Sequence, residues 1–210
     1  SIQDNINKVK INNVKIISVS KTFSMDVIMP LIKYGVTHFG ENKVQEALEK
    51  WTTIKDNFNH IKLHMIGGLQ TNKVKYAVKL FDYIHSLDSL RLAEKISIEQ
   101  KKINKSLKIF IQVNIGEEDQ KLGIEIINLE NFYEICVKKL DLDIIGLMCL
   151  PPKNKDNTEY FSKMKDLASK IGVKQLSMGM SADYIQASNL GSTFIRVGSN
   201  IFGERLSLIH

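Results

Sequence analysis

The feature that most constrains this 210-residue chain is a regular alternation of short apolar runs with longer amphipathic ones. The apolar runs read as strands over Lys15–Ser20, Thr37–Glu41, Lys62–Gly67, Tyr83–Leu87, Leu107–Asn114, Leu142–Cys149, Gln175–Gly179 and Phe194–Gly198. Their starts lie 19 to 35 residues apart, and every gap has room for a helix. Examples are Ser24–Tyr34, Thr71–Lys79, Ser89–Lys102, Asn128–Lys139, Thr158–Ile171 and Asp183–Asn189, with Ser24 and Ser89 as N-caps and Gly35 and Gly172 as stops. Strict strand–helix alternation implies a parallel sheet with right-handed crossovers. Eight such units close into a (β/α)8 TIM barrel, which needs about 200 residues or more. An open doubly wound sheet is the alternative, but the first strand runs into Lys21-Thr22-Phe23-Ser24 rather than a glycine fingerprint for a dinucleotide. No linker or repeat divides residues 1–210, so the expectation is an α/β protein made of one TIM-barrel domain.

Composition narrows the function. Apolar residues at 43% and charged residues at 25% are those of a globular chain. Two cysteines, Cys136 and Cys149, are too few for a disulfide framework and suit a reducing cytosol. The first residues hold no apolar run fit for a signal peptide, and no stretch is long enough to span a bilayer. A cytoplasmic location is therefore expected, with no membrane partner. The first 105 residues carry 17 Lys and Arg against 10 Asp and Glu, which raises the question of nucleic acid. The lysines fall at helical spacings among acidic residues, without an arginine cluster or interleaved aromatics, so solvated helix faces explain them better.

In a barrel, chemistry belongs at the carboxyl ends of the strands. Alternation along the first strand puts Ile17, Val19 and Lys21 on one face, so Lys21 should top the barrel interior, where desolvation favours a neutral, nucleophilic amine. Taken alone, a strand-end lysine reaching solvent is the commoner case. The last strand, Phe194-Ile195-Arg196-Val197-Gly198-Ser199, sets an arginine in an apolar context, where burial demands a polar partner. Gly198-Ser199 before a short helix, and Ser177-Met178-Gly179-Met180-Ser181 on the neighbouring strand, together suit a phosphate site. Asn42 and Asn114 end strands, where an asparagine more often shapes a turn than meets a ligand. Gly67–Lys73 lacks P-loop spacing. His60 and His64 lack a third metal ligand nearby, and Cys149 reads as a buried thiol.

Collectively these motifs resemble the pyridoxal 5′-phosphate homeostasis protein family. The resemblance rests on Ser18-Val19-Ser20-Lys21-Thr22, Phe39-Gly40-Glu41-Asn42-x-x-Gln45-Glu46 and His64-x-Ile66-Gly67-x-Leu69-Gln70-x-Asn72-Lys73. It continues through Gln112-Val113-Asn114 with Lys121-x-Gly123, Gly146-Leu147-Met148, Leu176–Ser181, and Arg196-Val197-Gly198 with Ile201-Phe202-Gly203. It implies a barrel like that of alanine racemase, with pyridoxal 5′-phosphate held as a Schiff base on Lys21. By the same resemblance Ser177, the Met178 backbone, Gly198 and Ser199 form the phosphate cradle, Arg196 faces the pyridine nitrogen and Asn42 lines the pocket. The implied role is storage, buffering or delivery of the cofactor without robust turnover. Implied partners are apo-enzymes that use the cofactor, with free amino acids as weak ligands, and a monomer is expected. The competing readings are a pyridoxal-dependent amino-acid racemase and an unrelated barrel enzyme acting on a phosphorylated metabolite. Against the racemase, the chain ends at His210 directly after the eighth strand, so the second domain that supplies an opposite-face base is expected to be absent.

Overall fold

A computed structural model describes residues 1–119, 122–153 and 156–204, the side chain of Ile2 apart. Lys121, quoted above within a motif, and the chain end at His210 lie outside the described residues. Eight parallel strands run β1 Lys15–Val19, β2 His38–Glu41, β3 Lys62–Met65, β4 Tyr83–Leu87, β5 Lys108–Val113, β6 Asp143–Cys149, β7 Gln175–Met180 and β8 Phe194–Val197. They pair in sequence order, and β8 returns to β1 through Ile16↔Ile195 and Ile17↔Arg196, closing the barrel. Each expected strand is present, most of them trimmed by a residue or two at their ends.

The helices are α1 Ile2–Lys8, α2 Met25–Lys33, α3 Val44–Asn57, α4 Val74–Leu80, α5 Leu90–Lys102, α6 Leu129–Glu134, α7 Thr158–Ile171, α8 Tyr184–Asn189 and α9 Ser199–Phe202. Ser89 caps α5 by accepting the Leu92 N–H at 3.2 Å, and Gly172 ends α7 in a left-handed conformation at φ 82°. Ser24 stands at the start of α2 in extended backbone, but its hydroxyl makes no capping bond. The run over Asn128–Lys139 divides into α6 and a π-turn at Ile135–Lys139. α1 packs against α2 and α9, where Asn5 Nδ2 donates to the Ile201 carbonyl at 3.0 Å.

Period-two alternation sorts the strand side chains between two apolar clusters. Phe39, Leu63, Met65, Ile84, Ile109, Ile111, Leu147 and Ile195 face outward into the helix layer with Trp51, Phe161 and their neighbours. Ile17, Tyr83, Phe110, Met148 and Phe194 fill the barrel itself. The interior also holds buried polar side chains, among them His64, His85, Ser177 and Arg196. Burying them without partners would be costly, so their hydrogen bonds define the interior.

Candidate functional site at the carboxyl ends of strands 1, 2, 7 and 8

Lys21 follows β1 in phase with Ile17 and Val19, both buried, which aims it into the barrel mouth; it is itself half-buried. The next residue, Thr22, adopts a left-handed backbone conformation at φ 68°, a strained choice for a β-branched side chain. Three groups from β2 and α3 hold it there. The Thr22 N–H donates to a Glu46 carboxylate oxygen. Lys50 Nζ donates to the carbonyls of Ser20 at 2.8 Å and Phe23 at 3.2 Å, on either side of Lys21 and Thr22. Glu41 is fully buried on the outer face of β2, where its Oε1 accepts from Ser20 Oγ at 2.7 Å and Trp51 Nε1 at 2.9 Å and meets Lys50 Nζ at 2.7 Å. The acidic residues of the Phe39–Glu46 motif therefore brace the backbone that presents Lys21. In the sequence Glu41 stands out as a strand-end residue within that motif, with nothing to mark it as the brace.

Asn42 is half-buried beyond β2. Its backbone lies so close to the end of β3 that a Cβ on Gly67 would fall 2.3 Å from the Asn42 carbonyl oxygen. The close approach of the Asn42 backbone thus requires glycine at 67. Asn114 shapes a turn, accepting the Glu118 N–H at 3.3 Å and donating to the Glu118 carbonyl at 2.8 Å.

On β8, the strand paired with β1, Arg196 is 4% exposed and inward-facing. Its Nη1 donates to Ser177 Oγ at 2.6 Å and its Nη2 to the Cys149 carbonyl at 2.9 Å, both neutral acceptors. Burial lowers its affinity for the proton below that of a free guanidinium. The Cys149 thiol itself is buried and pushed up to about 12, so Cys149 serves Arg196 through its backbone.

The structure separates the two hydroxyls of the β7 motif. Ser177 is fully buried, and its Oγ is engaged by Arg196 and, at 2.8 Å, by His85 Nδ1. It faces the barrel interior and is not directed to the start of α9, where the sequence reading expected it. Ser181 takes that place, with its Oγ accepting the Gly198 N–H at 3.3 Å. The switch comes from a break in the strand register between Ser177↔Phe194 and Met180↔Arg196. Gly179 sits in that bulge at φ 94°, where a Cβ would lie 2.7 Å from the Ala187 Cβ. Met178 buries its side chain in the outer layer and has its carbonyl capped by Ser192 Oγ at 2.6 Å, so only its backbone lies near the mouth. Gly198 is buried, and Ser199, exposed, opens α9.

The two histidines noted in the sequence part company. His60 is exposed beside Phe58, while His64 is buried with both ring nitrogens hydrogen-bonded to other histidines. Lys21, Asn42, Arg196, Gly198 and Ser199 gather around one barrel mouth, and Ser181 joins them. No helix among the described residues is long and apolar enough to cross a membrane.

Comparison with known proteins points the same way. The family model for the alanine racemase N-terminal domain matches residues 1–206. A pyridoxal phosphate homeostasis protein of Aquifex aeolicus is 37% identical over 203 residues, covering 92% of this chain and 88% of the relative. One from Escherichia coli K12 is 31% identical, covering 91% and 86%. The structure of PipY from Synechococcus elongatus PCC7942, solved with PLP bound, superposes with a TM-score of 0.88 at 30% identity, covering 97% of this chain and all of that one. Alanine racemase of Clostridium difficile 630, 17% identical with a TM-score of 0.75, shares the fold over 99% of this chain and 56% of its own. A closed eight-stranded barrel with a lysine after strand 1 and a buried arginine on strand 8, together with relatives matched over most of their length, leads to one conclusion: the chain belongs to the pyridoxal phosphate homeostasis protein family.

Proposed function

We propose that this protein binds pyridoxal 5′-phosphate at the barrel mouth and serves to store, buffer and deliver it. The observation that carries the reading is Arg196, a buried cation bonded only to neutral acceptors in the hydrogen bonds described above. A guanidinium has five N–H donors, and one turned toward the mouth suits the lone pair of an unprotonated pyridine nitrogen. The rest of the site fits the same ligand. Lys21 supplies a primary amine for an aldehyde. The Ser181 hydroxyl, which accepts the Gly198 N–H, and Ser199 offer neutral donors for a phosphate at the start of α9, with Ser181 in place of Ser177. Asn42 flanks the ring.

When bound, the cofactor supplies an aldehyde that condenses with amines and a ring that withdraws electrons. Arg196 disfavours protonation of that ring and so weakens its electron-withdrawing power. This supports a carrier over the racemase alternative. Free amino acids, by competing with Lys21 for the aldehyde, would release the cofactor to apo-enzymes; a cytoplasmic monomer suits that task.

The test is the visible spectrum of the purified protein followed by borohydride reduction and peptide mapping. A yellow protein with the reduced adduct on Lys21, lost in Lys21→Ala, is expected; an adduct found only elsewhere overturns the site. Incubation with L- and D-alanine in deuterated water then separates carrier from racemase. Exchange at the α-carbon slower than about 1 s⁻¹ is expected, and faster turnover promotes the racemase.

A further inference from the structure

Three histidines stand in a row through the barrel on consecutive strands. His38 Nδ1 lies 2.8 Å from His64 Nε2, and His64 Nδ1 lies 2.8 Å from His85 Nε2. His85 Nδ1 lies 2.8 Å from Ser177 Oγ, which accepts from Arg196 Nη1 at 2.6 Å. Five side chains on five strands thus form one unbroken hydrogen-bond chain from the barrel floor to the mouth.

The chemistry of its ends fixes its direction. Arginine can only donate, so the Ser177 hydroxyl accepts there, and with His85 Nδ1 its other partner among the described bonds, its single proton is satisfied by donation to His85 Nδ1. The His85 proton must then sit on Nε2 and be donated to His64 Nδ1. The same step repeats, with His64 Nε2–H donating to His38 Nδ1, which leaves the His38 proton on Nε2. The rings are held in place by stacking, His64 on Tyr83 at 4.1 Å and His85 on Phe110 at 4.3 Å between ring centres. All three are neutral. Burial keeps His64 and His85 well below the ordinary imidazole range; His64 is lowered further by His85 and His38, and His85 by the Arg196 charge and then by His38. Burial, with Lys15 and Lys62 nearby, lowers His38 to about 4, against the weaker pull of Asp82.

We propose that His38, His64 and His85 are positioning residues for Arg196, a relay of aligned neutral dipoles that solvates the buried guanidinium in place of a carboxylate and fixes its orientation toward the ligand. Each imidazole and the Ser177 hydroxyl turns an electron-rich atom toward the arginine and a proton away from it. A carboxylate at that place would neutralise Arg196; an apolar residue would leave the cation buried without solvation. None of the histidines touches the ligand. The link to pyridoxal phosphate rests on the function proposed above, whereas the chain and its direction do not.

Two experiments decide it. In ligand-free protein with ¹⁵N-labelled histidine at pH 7, imidazole spectra should show His38, His64 and His85 all as neutral Nε2–H tautomers. One Nδ1–H tautomer or one imidazolium among them overturns the relay. Equilibrium dialysis then compares pyridoxal phosphate with its analogue carrying carbon at the ring-nitrogen position. Loss of oriented, charge-assisted bonding should make His64→Leu bind pyridoxal phosphate about tenfold more weakly, with the carbon analogue changed by less than about twofold. His64→Gln, which can still accept and donate, should recover most of that loss. Equal weakening of both ligands, or of neither, overturns the positioning role. Should the wild-type protein retain neither ligand, the proposed function fails, while the tautomer spectra still decide the relay.

Discussion

The backbone leading to Lys21 is braced by formal charges, Glu41, Glu46 and Lys50, whereas Arg196 on the neighbouring strand β8 is bonded to a hydroxyl and a carbonyl. Location explains the contrast. Glu41 and Lys50 lie outside the sheet, behind the strands, where they tie down backbone carbonyls, the Ser20 hydroxyl and the Trp51 indole N–H. Arg196 lies inside, where an acid would cancel the charge that the site uses. The same barrel therefore spends ion pairs on its backbone and neutral dipoles on its functional cation.

The sharpest way to break this comparison is Glu41→Ala. It leaves Lys50, Trp51 Nε1 and Ser20 Oγ without their shared acceptor, and removing one partner of a buried pair costs about 3–5 kcal/mol. Urea denaturation should register that loss, and a change below about 1 kcal/mol would show that the carboxylate is not the brace. Acid probes the other side. A histidine whose folded pKa lies below its unfolded value binds fewer protons when folded, so stability is present above about 6.5 and is lost as pH falls below it. His38, at about 4 in the fold, alone accounts for up to about 2 kcal/mol lost between pH 7 and pH 5. Unfolding free energies that are equal at the two pH values would contradict neutral histidines in the interior.

Gly67→Ala sharpens the comparison at the ligand side of β2. The new methyl meets the Asn42 backbone, and overpacking of this kind costs about 1–3 kcal/mol. It should also weaken retention of pyridoxal phosphate while leaving the Glu41 cluster, on the opposite face, in place; unchanged retention in dialysis would remove Asn42 from the site. The smallest effect belongs to Lys138→Ala. Its partner Glu134 and Lys138 itself are 54% and 70% exposed, and such pairs contribute about 0–1 kcal/mol. A larger shift in denaturation midpoint would mean that ion pairing alone, rather than burial, sets the importance of the Glu41 cluster.

Much of this arrangement was legible from alternation. Period two along Ile17, Val19 and Lys21 placed the lysine, and the apolar neighbours of Arg196 marked it as buried. Ser177 entered the cradle only through the family resemblance; the structure turns its hydroxyl to Arg196 and His85, and beyond the bulge at Gly179 it is Ser181 that reaches the Gly198 N–H. No local signal in Ser177–Ser181 distinguishes the two. The histidine row was hidden for a different reason. His38, His64 and His85 are 26 and 21 residues apart, a spacing that only strand register converts into neighbours. The fourth-residue spacing of His60 and His64 drew attention to a pair that the fold separates. Glu41, Glu46 and Lys50 share two elements but act on a third, so their purpose could be read only once β1 was docked beside β2.

Strand closure carries a consequence for how the site comes into being. Lys21 and Arg196 belong to the first and last strands, and the seam between β1 and β8 is what brings them together. During synthesis the amine emerges first and the guanidinium 175 residues later, so no partial chain owns a complete site. Joining the two edges has the largest loop-closure cost of any strand pair in the molecule. A ligand that engages both residues spans the seam, and binding it latches the one junction that local contacts cannot secure. A ligand bound across that seam would double as an inspector of finished barrels, favouring chains whose two ends have met.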